Sequence, residues 1–228
     1  VEAPSRPVLF TADHQTAGKG QRDRHWHSER GQDVVMSLVL PVQAHWTPAS
    51  LNKRVALSVR SALIKVLPNG QNDRSILVKW PNDVLVWHGE SHYKVAGILI
   101  ENVWRGSAWS HAVIGIGLNV QSRRLSQSYR AISLSDMGHS TLSPLALAEQ
   151  LAGQIVTDLQ HGFEGLTETY QDVLYGLGEK RSYVVEGQSL VGMLTEVDDQ
   201  GQGHFQWESP GSACTLPASQ LASSEVQW

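Results

Sequence analysis

The sequence predicts an α+β fold: a mixed, mostly antiparallel sheet flanked by helices, followed by a small all-β module. Three observations carry this. Four strand-like runs follow one another between residues 76 and 120 with only short turns between them, which favours antiparallel pairing over βαβ crossovers. Leu51, Val55, Val59, Leu63 and Leu67 recur every four residues, the spacing of one helix face. From Tyr183 onward the chain breaks into short alternating runs separated by Gly, Asp and Pro, the pattern of a small barrel.

Taken in order, Pro7–Asp13 (PVLFTAD) reads as a short buried strand, and Asp33–Leu40 (DVVMSLVL) as a second, closed by Pro41. Thr47 suits an N-cap and Pro48 the first helical position. Pro68-Asn69-Gly70 ends that helix. The runs Ile76–Trp80, Val84–Trp87, Val95–Val103 and Ala112–Val120 are the sheet strands. Residues 121–143 are polar and serine-rich, a loop. Pro144–Leu159 is a second amphipathic helix and Phe163–Leu174 a third. The composition changes at Gly176-Leu177-Gly178, so the expected units are residues 1–176 and 177–228. Val1 opens the chain without Met while a strand is under way by Val8, and the expectation is that residues precede it.

The bulk composition bounds function. Of 228 residues, 41% are hydrophobic and 18% charged, as in a globular domain with a sizeable core. The net charge of −4 argues against a general nucleic-acid surface. No run approaches the roughly 18 apolar residues of a membrane span. The single cysteine, Cys214, excludes an intrachain disulfide and a cysteine zinc site, and fits a cytoplasmic protein.

Residues 14–31, HQTAGKGQRDRHWHSERG, hold three glycines, several cations and one tryptophan, with almost nothing aliphatic. Such a segment cannot bury itself. It reads as a mobile cationic loop. It is not a Walker A loop, because Gly20 stands where Ser or Thr is required, and it does not fit the dinucleotide fingerprint. His88 and His92 lack the glutamate placement of a zinc protease and read as solvent-facing turn residues. Further positive charge sits at Lys79 in LVKWPNDVLV and Lys94 in HYKVAGILIE, where Gly97 marks a close approach by a ligand or another backbone. Asp83, after the Pro81-Asn82 turn, is placed to face a cation. Lysines, an aspartate and a basic loop together suit a polyphosphate with Mg²⁺. Each feature alone reads as ordinary surface or turn chemistry.

In combination, QTAGKGQRDRHW, KWPNDV, KVAGILIE and GIGLNV, in this order, resemble the catalytic domain of the biotin protein ligases (biotin–[acetyl-CoA-carboxylase] ligases). The resemblance covers nearly the whole chain. It implies a class II synthetase-like catalytic fold with a C-terminal SH3-like β-barrel, without an N-terminal DNA-binding domain. It implies ATP and Mg²⁺ as cofactors, biotin as substrate, and a biotin carboxyl carrier domain as partner, with a homodimer as one possible assembly. By match to the family motifs, Lys94 and Lys19 would be catalytic. Gln15, Gly18, Lys19, Gly20, Gln21, Lys94 and Gly97 would bind biotin. Arg22, Arg24, Trp26, Lys79, Asn82, Asp83 and Asn119 would bind ATP and the adenylate. In that set Asn119 contacts adenine, Trp26 is an apolar lid, and Asp83 meets Mg²⁺. The family loop is usually GRGRRGRxW, so Lys19, Gln21 and Asp23 are departures here. The family's upstream Ser-Thr-Asn motif does not precede this first strand. A lipoate or octanoate ligase of the same fold, and a catalytically weak binding module, are the alternatives.

Overall fold

The structure, a computed structural model, describes residues 4–21, 25–67, 75–123, 125, 130–139, 141–185, 188–208 and 213–216. Arg22 and Arg24, two of the expected ATP contacts, and the Pro68-Asn69-Gly70 stop lie outside the described residues.

Six strands form the main sheet: β1 (Val8–Thr11), β2 (Val34–Pro41), β3 (Ile76–Lys79), β4 (Asp83–His88), β5 (Ser91–Arg105) and β6 (Ala108–Leu118). Their order is β1-β2-β6-β5-β4-β3, and every neighbouring pair is antiparallel. Among the described residues, parallel pairing occurs only as isolated bridges such as Lys94 with Ala131. The sheet extends further than the sequence indicates, because β5 and β6 continue to a tight hairpin at Gly106, whose φ of 59° glycine adopts without strain. β1 corrects the expectation of a buried strand. It lies at the sheet edge, and Phe10 is 58% exposed.

One face of the sheet packs on α1 (Pro48–Val66) and α2 (Pro144–Asp158). Thr47 caps α1, its side chain accepting from the Ser50 amide while Ser50 returns the bond. Leu51, Val55, Val59, Leu63 and Leu67 are all buried to within 1%, each worth about 1.5–3 kcal/mol. From the sheet, alternate residues Met36, Leu38, Leu40, Ile98, Ile114, Ile116 and Leu118 meet them. The third helix, α3 (Leu166–Gln171), is shorter than expected. Gly165, at φ 64°, precedes it and supplies no side-chain cap, so Phe163 stays outside and packs edge-on against Trp46.

β7 (Lys180–Val185), β8 (Gln188–Val197), β9 (Gly203–Trp207) and β10 (Ala213–Leu216) form a separate antiparallel sheet, in the order β10-β9-β8-β7. Tyr183, Phe205 and Trp207 cluster on it, with Phe205 and Trp207 stacked at 5.2 Å. Among the described residues no helix is long and apolar enough to cross a membrane.

Candidate active site

The second face of the six-stranded sheet is not covered by helices and carries a cleft. Cross-strand pairing sets its floor in rows: Asp83, Gly97 and Gly117; then Leu99, Gly115 and Ser37; then Glu101 and Val113. Glycines at 97, 115 and 117 make this floor low. A Cβ at Gly117 would stand 2.2 Å from the Trp26 ring, and one at Gly97 would stand 3.0 Å from it. The close approach foreseen at Gly97 is therefore made by the chain's own indole. A Cβ at Gly115 would meet only Leu99, so the floor stays open there.

Lys94 reaches this face through a break in strand register. Val84 pairs with Ala96 and Leu85 with Lys94, leaving Val95 as an extra residue on β5. A bulge of this kind reverses the alternation of side chains. Gly97, Leu99 and Glu101 line the cleft while Ala96 and Ile98 face the core; strict alternation would turn Lys94 into the core. The bulge instead buries Val95 and sends Lys94 into the cleft. Lys94 is also not at the head of its strand, as the sequence suggested, but four residues into β5. Its backbone is held on its other side too: its amide donates to the Arg130 carbonyl at 2.9 Å and its carbonyl accepts from Ile132 at 3.0 Å. Residues 130–134 of the serine-rich loop thus run beside Lys94, a tether the sequence did not reveal.

The Lys94 Nζ lies 2.6 Å from Asp83 Oδ1, with both side chains mostly buried, and 5.5 Å from the centre of the Trp26 ring. Asp83, whose turn position suggested that it faces a metal cation, is paired here with Lys94. Asn82 keeps that turn against β5: its Nδ2 donates to the Ile98 carbonyl at 3.0 Å, and its own carbonyl accepts from Ile98 at 2.9 Å. Lys79, paired across the turn with Asp83, lines the same end of the cleft.

The two described flanks of the glycine-rich loop pair with each other over the floor. Lys19 bridges to His25, and the Trp26 amide donates to the Gly18 carbonyl at 3.0 Å. Gly18 is obligatory in this geometry, since a Cβ would fall 2.5 Å from the Trp26 carbonyl and 2.6 Å from Gln15 Oε1. Gln15, Lys19, Gly20, Gln21, His25 and Trp26 all line the cleft. Trp26, expected as a lid, lies on the sheet as part of the floor.

Asn119 departs from expectation. It is buried, does not line the cleft, and donates through Nδ2 to the Ile132 carbonyl at 3.2 Å. Its backbone carbonyl accepts from Leu134. Both bonds hold the 130–134 tether. His92 also departs from a solvent-facing role. It sits between Trp87 and Tyr175, 5.0 and 5.1 Å away. Burial, and then the Arg181 charge, push its pKa below the ordinary histidine value.

Sequence reasoning missed Ser37, Leu99, Glu101, Val113, Gly115 and Gly117 as cleft residues. The signal was present in the alternation of β6, where every second residue of AVIGIGL is core and Val113, Gly115 and Gly117 between them are small or half-buried. Among the described lining residues three lysines face two carboxylates. The chemistry of such a surface suits an anionic group at the Lys79–Lys94 end and an apolar body over Leu99 and Gly115. The described residues contain no cluster of three His, Cys, Asp or Glu side chains. Asp83 is the carboxylate at the Lys79 end of the cleft that could meet a divalent ion carried on phosphate oxygens.

A family model described as the biotin/lipoate A/B protein ligase family matches residues 2–119, over half the chain. The chain belongs to that family. The match contains the loop, KWPND, KVAGILIE and GIGLN, so every strand that builds the cleft falls within the family's shared span. Among its relatives in this family, the chain is 30% identical over 204 residues to the biotin–[acetyl-CoA-carboxylase] ligase of Mycobacterium tuberculosis, covering 86% of this chain and 71% of the relative. It is 30% identical over 207 residues to the bifunctional ligase/repressor BirA of Bacillus spizizenii, covering 85% of this chain but only 60% of that protein. The biotin protein ligase from Aquifex aeolicus, solved in complex with biotin and ATP, superposes with a TM-score of 0.71 over 95% of this chain and 86% of its own, at 22% identity. That likeness establishes the shared family fold.

Proposed function

We propose that the chain is an ATP-dependent biotin protein ligase, with residues 1–176 as the catalytic unit and 177–228 as its C-terminal module. The observation that carries this reading is Lys94, delivered by the Val95 bulge onto a glycine floor beside Trp26 and paired with Asp83 at 2.6 Å. The relatives named for biotin ligation narrow the substrate.

In the first step a biotin carboxylate oxygen attacks the α-phosphorus of ATP, a P–O bond to the β-phosphate breaks, and pyrophosphate leaves. The chain supplies no nucleophile. It brings two anions together and offsets their repulsion. Lys94 takes the carboxylate in place of Asp83, while Lys19 approaches the α-phosphate from the loop. Gln15 and the loop backbone from Gly18 to Gln21 close over the acyl group, and Trp26, Leu99 and Gly115 give it an apolar bed. Lys79 meets the leaving pyrophosphate, and Asp83, released from Lys94, faces the same end. Mg²⁺ carried on the phosphates would neutralise charge there. In the second step a lysine amine of a biotin carboxyl carrier domain attacks the acyl carbon, an amide forms, and AMP leaves with the electron pair of the broken C–O bond.

Incubation with ATP, labelled biotin and a biotin carboxyl carrier domain tests the assignment. Label is expected on the carrier lysine. Transfer of lipoate or octanoate in preference to biotin would move the chain to the other branch of the family. Binding of biotin with no transfer would make it a holding module.

A further inference from the structure

Trp80, the tryptophan of KWPND, has two sets of contacts. It lines the cleft with Pro81, Asn82 and Asp83. It also reaches the C-terminal sheet: its indole Nε1 donates to the Gly201 carbonyl at 3.2 Å, and its ring lies 6.1 Å from Phe205. Gly203 has to be small at this contact, because a Cβ there would stand 3.1 Å from the Trp80 ring and 2.8 Å from Phe205.

The turn that accepts this bond, residues 198–202 between β8 and β9, is fixed from within and from outside. The Gly201 amide donates to the Asp198 carbonyl at 2.8 Å, the Gln202 amide donates to Asp198 Oδ1 at 2.9 Å, and His204 Nε2 lies 2.8 Å from Asp198 Oδ2. From α1, Lys53 donates to the Asp198 carbonyl at 2.7 Å and to Thr167 Oγ1 at 2.7 Å. Thr167 in turn donates to Asp199. Lys53 is only 2% exposed. Burial pulls its pKa down, while Asp199, Asp198, Glu168 and Glu196 act to raise it. A buried ammonium is retained only where its donors are well used, and two of the three here hold α3 and this turn.

We propose that Lys53 and the 198–202 turn are positioning residues for the cleft, holding Trp80 and through it the turn that carries Asn82 and Asp83. None of them touches the reacting atoms. Their effect passes from Lys53 to the Asp198 and Gly201 carbonyls, to the Trp80 indole, and three residues on to Asp83 beside Lys94. The inference rests on the proposed ligase function. It adds that adenylate formation by residues 1–176 depends on a backbone carbonyl of the C-terminal sheet. Small displacements of a reacting constellation cost on the order of 10- to 100-fold in rate.

The test uses the full chain with Lys53→Met, which removes the ammonium but keeps the stem, and Trp80→Phe, which removes the indole donor but keeps a ring. Both are labelled with 5-fluorotryptophan, and the Trp80 fluorine signal is identified by its loss in Trp80→Phe. In Lys53→Met that signal is expected to shift. Biotin-dependent pyrophosphate exchange is expected to slow on the order of tenfold or more, with a raised KM for ATP and unchanged biotin affinity by calorimetry. Exchange kinetics like the parent's in folded Lys53→Met overturn the proposal. So does a loss of exchange that tracks loss of biotin affinity and of melting temperature while the Trp80 signal stays put, since that is packing alone. If Lys53→Met does not fold, Thr167→Val, which removes the Lys53 hydrogen bond to α3, is read in the same way. A parent with no biotin-dependent exchange would defeat the ligase reading, while the fluorine shift would still decide whether Lys53 positions Trp80.

Discussion

Asn119, expected at adenine, holds part of the scaffold through its side-chain nitrogen. Its place at the end of GIGLN, just past β6, suggested adenine. In the structure its Nδ2 donates to the Ile132 carbonyl, inside the tether that runs beside Lys94. Asn119→Ala should therefore leave a buried carbonyl without its partner and cost about 1–3 kcal/mol of stability, measured by denaturant unfolding. Biotin and ATP affinities should weaken together as the tether loosens. A selective loss of ATP affinity at unchanged stability would restore the direct contact. Gly117 makes the complementary case. Its missing Cβ is what lets Trp26 lie on the sheet, so Gly117→Val should lift the indole and lower biotin affinity by at least about tenfold, the order of one lost apolar side-chain contact. Unchanged affinity in calorimetry would show that the indole does not form the acyl bed. Lys94 was legible as a residue type but not as a geometry, because the Val95 bulge depends on how β4 pairs with β5, and no local pattern in KVAGILIE announces it.

Elements whose stability is local were the readable ones. Thr47-Pro48 and the four-residue spacing of leucines and valines gave α1 its start, its face and its burial. The third helix was over-extended because Phe163 fits the periodicity while Gly165, with φ 64°, interrupts the backbone. The loop from Gly18 to Trp26 was legible as basic and glycine-rich, but the pairing of its described flanks over the cleft follows from the Gly97–Gly117 floor on distant strands. Within this element Gln21 stands at the cleft without a charge. Gln21→Arg should place a cation beside a phosphate in a partly dry site, where a charge-assisted hydrogen bond is worth roughly 1.5–3 kcal/mol. Escape of the adenylate, followed as biotin-dependent release of free AMP, is expected to slow about tenfold or more. Trp26→Ala should accelerate it. Equal AMP release in the parent and both variants would mean that the loop does not retain the intermediate.

At the scale of the molecule, two sheets meet along residues 174–181, and His92 is packed at that junction. Tyr175 stacks edge-on against it, Arg181 and Glu179 act on its charge, and Arg181 donates to the Tyr175 hydroxyl at 2.9 Å. Because its folded pKa is depressed, the unfolded chain binds the proton first. The contribution to stability is complete above the unfolded value of about 6.5 and is lost as pH falls from there through the lower folded value. The difference in melting temperature between the parent and His92→Gln should therefore change across that window and be flat above it; a difference independent of pH would contradict a neutral, half-buried imidazole. The six-stranded sheet brings four separated sequence motifs to one face, and this was legible only as order along the chain. The central claim is that Lys94, on that face, joins a carboxylate to a nucleotide. Biotin-dependent exchange of labelled pyrophosphate into ATP measures this directly, without a carrier. The parent should exchange with biotin in preference to lipoate, and Lys94→Ala should lose about 10²–10³-fold, as for removal of one preorganised charge stabiliser; exchange in Lys94→Ala at the parent's rate would contradict the account.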